Sequence, residues 1–119
     1  MSLPHACFAL FLLFAGAEFF PGTDLPLMPG FEELAESGVV FDKPSGRIVQ
    51  VVAFGSEAPP AVRAFYAEAL AALGWTEAGA AAAHGLKMRR EGETLSLDLS
   101  HSDGQTVISI VIQPDAEEN

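Results

Sequence analysis

Basic side chains are scarce in this chain: six Lys and Arg stand against 16 Asp and Glu, a formal net charge of −10 over 119 residues. Such a field repels phosphate backbones and anionic membrane surfaces, which argues against nucleic-acid binding. Cysteine is nearly absent. The single one, Cys7, can form no intrachain disulfide, so the fold must hold without that staple. The main apolar run, Ala6 to Phe14, is far short of the roughly 20 residues that span a bilayer. Gly74, Gly79 and Gly85 show neither G-x-G-x-x-G nor a following Lys and Ser/Thr, so no phosphate loop is expected.

The chemistry-bearing residues are thin as well. His84 and His101 fall on separate loops, whereas a metal site needs three or four converging ligands. Ser100, His101 and Asp103 contain the letters of a hydrolase triad, yet neighbours on a strand alternate across it and cannot form that relay. Asp98 beside Lys87 or Arg89 reads as a lateral charge pair worth under about 1 kcal/mol. The expectation is therefore no catalytic set, no cofactor and no metal.

What is present begins with an address. MSLPHACFALFLLFAGA, residues 1–17, has the uncharged apolar run of a secretory signal peptide, and Ala15 and Ala17 fit an A-x-A cleavage site before Glu18. No Lys or Arg precedes the run, so His5 and the amino terminus supply the only positive charge there. Pro4, His5 and Ala6 before Cys7 do not make a lipobox. The expected product is a periplasmic or secreted protein without stable membrane insertion after cleavage; a buried amino-terminal element or a retained anchor are the alternatives. The remaining chain suffices for one domain.

Residues 18–37 read as a strap. FFPGTDLPLMPG is broken by prolines and glycines, yet Phe19, Phe20, Leu25, Leu27, Met28 and Phe31 are too apolar for a free linker. The strap either packs on its own domain or docks a partner; Glu32 to Glu36 fits one helical turn. The domain follows over 38–114. Val39 to Phe41 and Ile48 to Phe54 form a hairpin around KPSG. From Ser56 to Leu73, Val62, Phe65, Tyr66, Ala69, Leu70 and Leu73 recur at three- and four-residue steps, placing one apolar stripe on a helix. Pro59 and Pro60 open it, with Ser56 or a neighbour as cap, and Gly74 ends it with Trp75 folding back.

Two tight turns then fix three strands. Glu91-Gly92 pairs Arg90 with Glu93, Met88 with Leu95 and Leu86 with Leu97, while Asp103-Gly104 pairs Leu99 with Ile108, Leu97 with Ile110 and Leu95 with Ile112. The two registers agree, collecting Leu86, Met88, Leu95, Leu97, Leu99, Ile108, Ile110 and Ile112 on one face to receive the helix. The expected fold is α+β: two layers, an antiparallel sheet of about five strands in the order ββαβββ, and one long helix packed on one face. Residues 115–119, with Asp115, Glu117 and Glu118, read as a solvated acidic tail.

The sheet's second face carries Lys87, Arg89, Thr94, Ser96, Asp98 and Ser100 on one half. Its other half holds Val107 and Val111, joined by Val40, Val52 and Phe54 if Phe41 pairs with Val49. An apolar patch of that kind either lies under the strap or marks an interface, for which Phe54, Val107 and Val111 are the candidate residues. Tyr66 and Trp75 are core aromatics or, alternatively, the polar contacts of a pocket for a small apolar ligand between helix and sheet.

The stretch AVRAFYAEALAALGW resembles the F-Y-x(3)-L-x(3)-G-W helix of small exported or lipid-anchored bacterial α/β domains, mostly uncharacterised, through Phe65, Tyr66, Leu70, Gly74 and Trp75. In those domains a hairpin precedes the helix and an antiparallel meander follows it. The resemblance implies an envelope-associated accessory domain and brings no catalytic residue with it; the missing lipobox sets this chain apart from the lipid-anchored members. The function expected is that of an exported accessory or protein-interaction domain of the cell envelope, its partner an envelope protein or a second copy; the alternative is a carrier or sensor of a small apolar ligand.

Overall fold

The computed structural model describes residues 18–20, 23–34, 39–43, 46–79 and 85–115. The expected leader with Cys7, the turn residues Pro44 and Ser45, His84, Glu117 and Glu118 lie outside them. In chain order the elements are β1 (Glu18–Phe19), β2 (Pro26–Leu27), β3 (Glu32–Glu33), β4 (Val39–Lys43), β5 (Gly46–Gly55), α1 (Pro59–Ala72), β6 (Thr76–Glu77), β7 (Leu86–Arg90), β8 (Glu93–Ser102) and β9 (Gln105–Pro114).

The α+β class with one helix and an antiparallel sheet is observed, but the five-strand ββαβββ description is too simple. Among the described residues the main sheet has seven strands, ordered β3-β5-β9-β8-β7-β6, with β4 also pairing β5. A separate two-stranded ribbon joins β1 to β2. The extra strands come from the strap and from the residues after the helix, where two-residue pairings leave too little alternation to read as strands.

The meander has the expected registers throughout: Met88 faces Leu95, Leu97 faces Ile110 and Leu99 faces Ile108. Glu91 (φ 52°) and Gly92 (φ 83°), like Asp103 (φ 53°) and Gly104 (φ 75°), take the doubly left-handed conformation that matches strand twist in a two-residue hairpin. All eight residues expected on the helix face are buried. The first hairpin is one residue off the expected register. Lys43 pairs Gly46, so Phe41 faces Ile48 and Val40 faces Val49. A two-residue connection requires that pairing, and a slip of one moves Val40 to the helix face.

Helix α1 starts at Pro59 with Ala58 as N-cap and no side-chain cap, so Ser56 does not serve. The reason lies in the two prolines, which remove two of the amide donors a cap would satisfy. The next two, on Ala61 and Val62, both donate to the Ala58 carbonyl, at 3.0 and 3.1 Å. At the other end Gly74 (φ 96°) is left-handed; its N–H donates to Ala71 O, and that of Trp75 to Leu70 O, the paired bonds of a Schellman motif. Val62, Tyr66, Ala69 and Leu70 are buried, with Phe65 and Leu73 partly buried at the edges of the stripe.

The strap supplies the rest of this layer. Phe20, Leu25, Leu27 and Phe31 are buried in the same cluster as Val49, Val51, Tyr66 and Leu70. It therefore lies beside α1 and not across the opposite face, the other course its apolar residues allow. At Glu32 and Glu33 it is strand, not a helical turn: Glu32 pairs Phe54, Glu33 pairs Ala53, and the Leu34 amide donates to Val52 O at 2.8 Å, while the rest of the expected turn, residues 35–36, lies outside the described residues. The upper edge of β5, left bare above β4, is closed in this way.

Candidate functional site

Since α1 and the strap cover the same side, the site to examine is the sheet's other face. Side chains alternate along each strand, so the burial of Val49, Val51 and Ala53 toward the helix sends Val52 and Phe54 outward. Register brings Phe54 opposite Val107, Val52 opposite Ser109, and Gln50 opposite Val111. On the far side of β9, Ser100, Asp98 and Ser96 face Val107, Ser109 and Val111 in turn. The expected interface residues Phe54, Val107 and Val111 thus share one face, each intermediate in exposure. Val40 does not join them. Leu34, 48% exposed, follows Glu32 and Glu33 along the outer flank of β5; reading 32–36 as a helical turn hid both Glu32 and Leu34 from the sequence pattern.

Charge is divided unevenly over this face. Lys87 and Arg89 lie on β7, at the polar end, where Arg89 donates to Asp115 Oδ2 at 2.7 Å. Asp115 also accepts from the Thr94 hydroxyl, and its amide donates to Gly92 O at 2.8 Å. It is an ordered continuation of β9 and not part of a solvated tail. The Arg89 hydrogen bond, then that of Thr94, holds the Asp115 carboxyl below the ordinary carboxylate range. Thr76, Lys87, Arg89, Thr94 and Asp115 line an open polar hollow here. At the apolar end the charges are Glu32, opposite Phe54, and Asp98, opposite Ser109. Asp98 sits past the start of β7, out of register with Lys87, which faces Ser96.

The two aromatics of the alternative pocket are both buried and lie on the strap side of the core. Tyr66 donates its hydroxyl to Pro26 O (2.9 Å) and accepts the Met28 amide (3.0 Å), two contacts that sew the strap to the helix. Burial raises its phenol far above the ordinary value, the Met28 bond opposing only in part. Trp75 lies under Arg90, whose guanidinium carbon is 4.5 Å from the ring centre, and its Nε1 has no hydrogen-bond partner among the described residues. Arg90 also donates to Leu73 O and to Asp24, each at 3.0 Å.

His101 and Ser100 face opposite sides of β8, as alternation requires. Thr106, buried, donates to Glu57 O at 2.6 Å, so its oxygen is left to accept from His101 Nδ1 at 2.8 Å. That fixes the tautomer with the proton on Nδ1. Among the described residues no three His, Cys, Asp or Glu side chains group as metal ligands, and no helix is long and apolar enough to cross a membrane. Compared with known proteins, the chain matches no family model, no curated protein and no solved structure.

Proposed function

We propose that this chain is exported to the periplasm or beyond and acts there as an accessory interaction domain, meeting an envelope protein through the face of its sheet opposite α1 and the strap. The observation that carries the reading is the placement of the strap. Apolar and continuous with the domain, it was the natural cover for Phe54, Val107 and Val111, and it packs instead beside α1. A sheet face with partly exposed Phe and Val in adjacent register is the kind of surface that partners bury. The export half of the proposal rests on residues 1–17 and on the resemblance of the helix motif to exported bacterial domains. A carrier role has less support, because the Tyr66 hydroxyl that would greet a ligand is already bonded on both sides to the strap.

The test is in vivo crosslinking and affinity capture of the tagged, exported protein beside a Val107→Lys, Val111→Lys variant. Both positions point away from the core, so the variant should keep its circular dichroism spectrum and melting temperature. Capture of an envelope protein by the parent and its loss in the folded variant supports the proposal. Capture from neither, or equally from both, overturns it.

A further inference from the structure

We infer that the occupant of this face is a cationic amphipathic helix, an inference that rests on the interaction reading above and names the chemistry of the partner. Shape and charge combine. The first is the shape of the apolar strip. It occupies β5 and β9, two strands set about 4.8 Å apart, and extends from Val107 to Val111, four residues or about 13 Å along the strand. A helix is about 10 Å across and advances about 5.4 Å per turn, so two turns of one helix match the strip in width and length. Ser109, small, stands between Val107 and Val111 and opposite Val52.

The second observation is charge. At the Phe54 and Val107 end of the strip the exposed charged residues in register are Glu32, opposite Phe54, and Asp98, opposite Ser109, both acidic. The arginines are engaged elsewhere: Arg47 with Glu93, Arg89 with Asp115, Arg90 with Asp24, and Arg63 with the Gly85 carbonyl; Lys87 sits three strands away from β5, on β7, and Lys43 pairs Gly46 at the end of β5 remote from Phe54. A partner that lays Leu or Val on the strip therefore meets carboxylates at its flank and gains from carrying Lys or Arg there. A second copy of this chain fits poorly, since a net charge of −10 on each and Glu32 and Asp98 at both rims oppose apposition. An anionic lipid surface is disfavoured by the same field.

The probe is a pair of synthetic peptides with Leu at i, i+3, i+4 and i+7, one carrying Lys at the remaining positions and the other Glu, each labelled for fluorescence anisotropy. The Lys peptide should bind the parent and the Glu peptide should not. A Val107→Thr, Val111→Thr variant, which keeps charge and shape, should weaken binding about tenfold or more, and Glu32→Gln, Asp98→Asn should do the same. A control with equal charge removed from the far side, Glu68→Gln with Glu91→Gln, should bind like the parent; both control positions are exposed. Equal loss in the control reduces the effect to bulk attraction and overturns the inference. So does binding that ignores the Val→Thr changes, absence of binding, or a dimer of the parent in sedimentation that the Val→Thr changes dissolve. The outcomes stay separable from those of the parent reading. An envelope protein captured through Val107 and Val111 whose contacting segment is neutral or acidic sinks the helix chemistry alone, whereas peptide binding with no cellular capture sinks the interaction role alone.

Discussion

The ring of Phe31 lies flat on the backbone of Gly55: a Cβ built on that glycine would fall 2.6 Å from Cγ of the ring and 2.7 Å from Cδ1. The strap thus reaches β5 at a place where the strand has no side chain to offer. Gly55→Ala should cost about 1–3 kcal/mol, as overpacking does, because Cγ sits near the root of the Phe31 side chain and cannot swing aside. For a domain of this size that is a drop of about 4–8 °C in melting temperature per kcal/mol. In a Phe31→Ala background the same substitution should cost much less, and thermal melts of the four proteins in that cycle measure the coupling.

Tyr66 is the second fastening of the strap. Tyr66→Phe removes the acceptor of the Met28 amide and the donor to Pro26 O, leaving two backbone groups in a buried setting without their partner. The expected cost is about 1–3 kcal/mol. Hydrogen exchange should show where it falls: the Met28 amide and its neighbours exchange faster, while β8 and β9 hold their protection. Uniform loss across the sheet would instead mark Tyr66 as an ordinary core residue.

The difference between these two fastenings and the meander shows what the sequence made legible. Glu91-Gly92 and Asp103-Gly104 each dictate a register locally, and the two registers had to agree, so β7 to β9 and their buried face followed from short-range chemistry. The helix motif did the same through Gly74 and Trp75. The strap's course depends on contacts far apart in the chain, Phe31 with Gly55 and Pro26 with Tyr66, for which no local pattern exists. The strap's described residues pack beside α1 and leave the face that holds Phe54, Val107 and Val111 to other partners. Phe54, Val107 and Val111 are legible because alternation puts them there whatever the strap does; Glu32 and Leu34 are not, because the strand that carries Glu32 and stops before Leu34 is only two residues long.

Arg90 joins three elements at once: its guanidinium lies over Trp75, donates to the carbonyl of Leu73 at the C-cap of the helix, and pairs with Asp24 of the strap. These contacts should not weigh equally. Asp24 is half exposed, so Asp24→Asn should change stability by under about 1 kcal/mol. Arg90→Lys keeps the charge but loses the planar fork that serves ring and carbonyl together, and about 1–2 kcal/mol should go with it. Trp75 fluorescence, from the only tryptophan in the chain, should shift in Arg90→Lys and stay put in Asp24→Asn.

Asp115 gives the domain an acid-side signature. Its carboxyl is held below the ordinary carboxylate range by the Arg89 and Thr94 hydrogen bonds, and an unfolded chain would release it to the ordinary value, near pH 3.9. A folded value below the unfolded one means that the unfolded state binds the proton more readily. The contribution is therefore complete at pH values above that of the free side chain and drains away as pH falls through the folded value. Asp115→Asn should be less stable than the parent at neutral pH, and urea midpoints measured over a pH series should converge as the parent's carboxyl is titrated. Parallel curves down to the lowest pH would show that Thr94 and Arg89 hold the end of β9 by geometry alone, with no part played by the charge on Asp115.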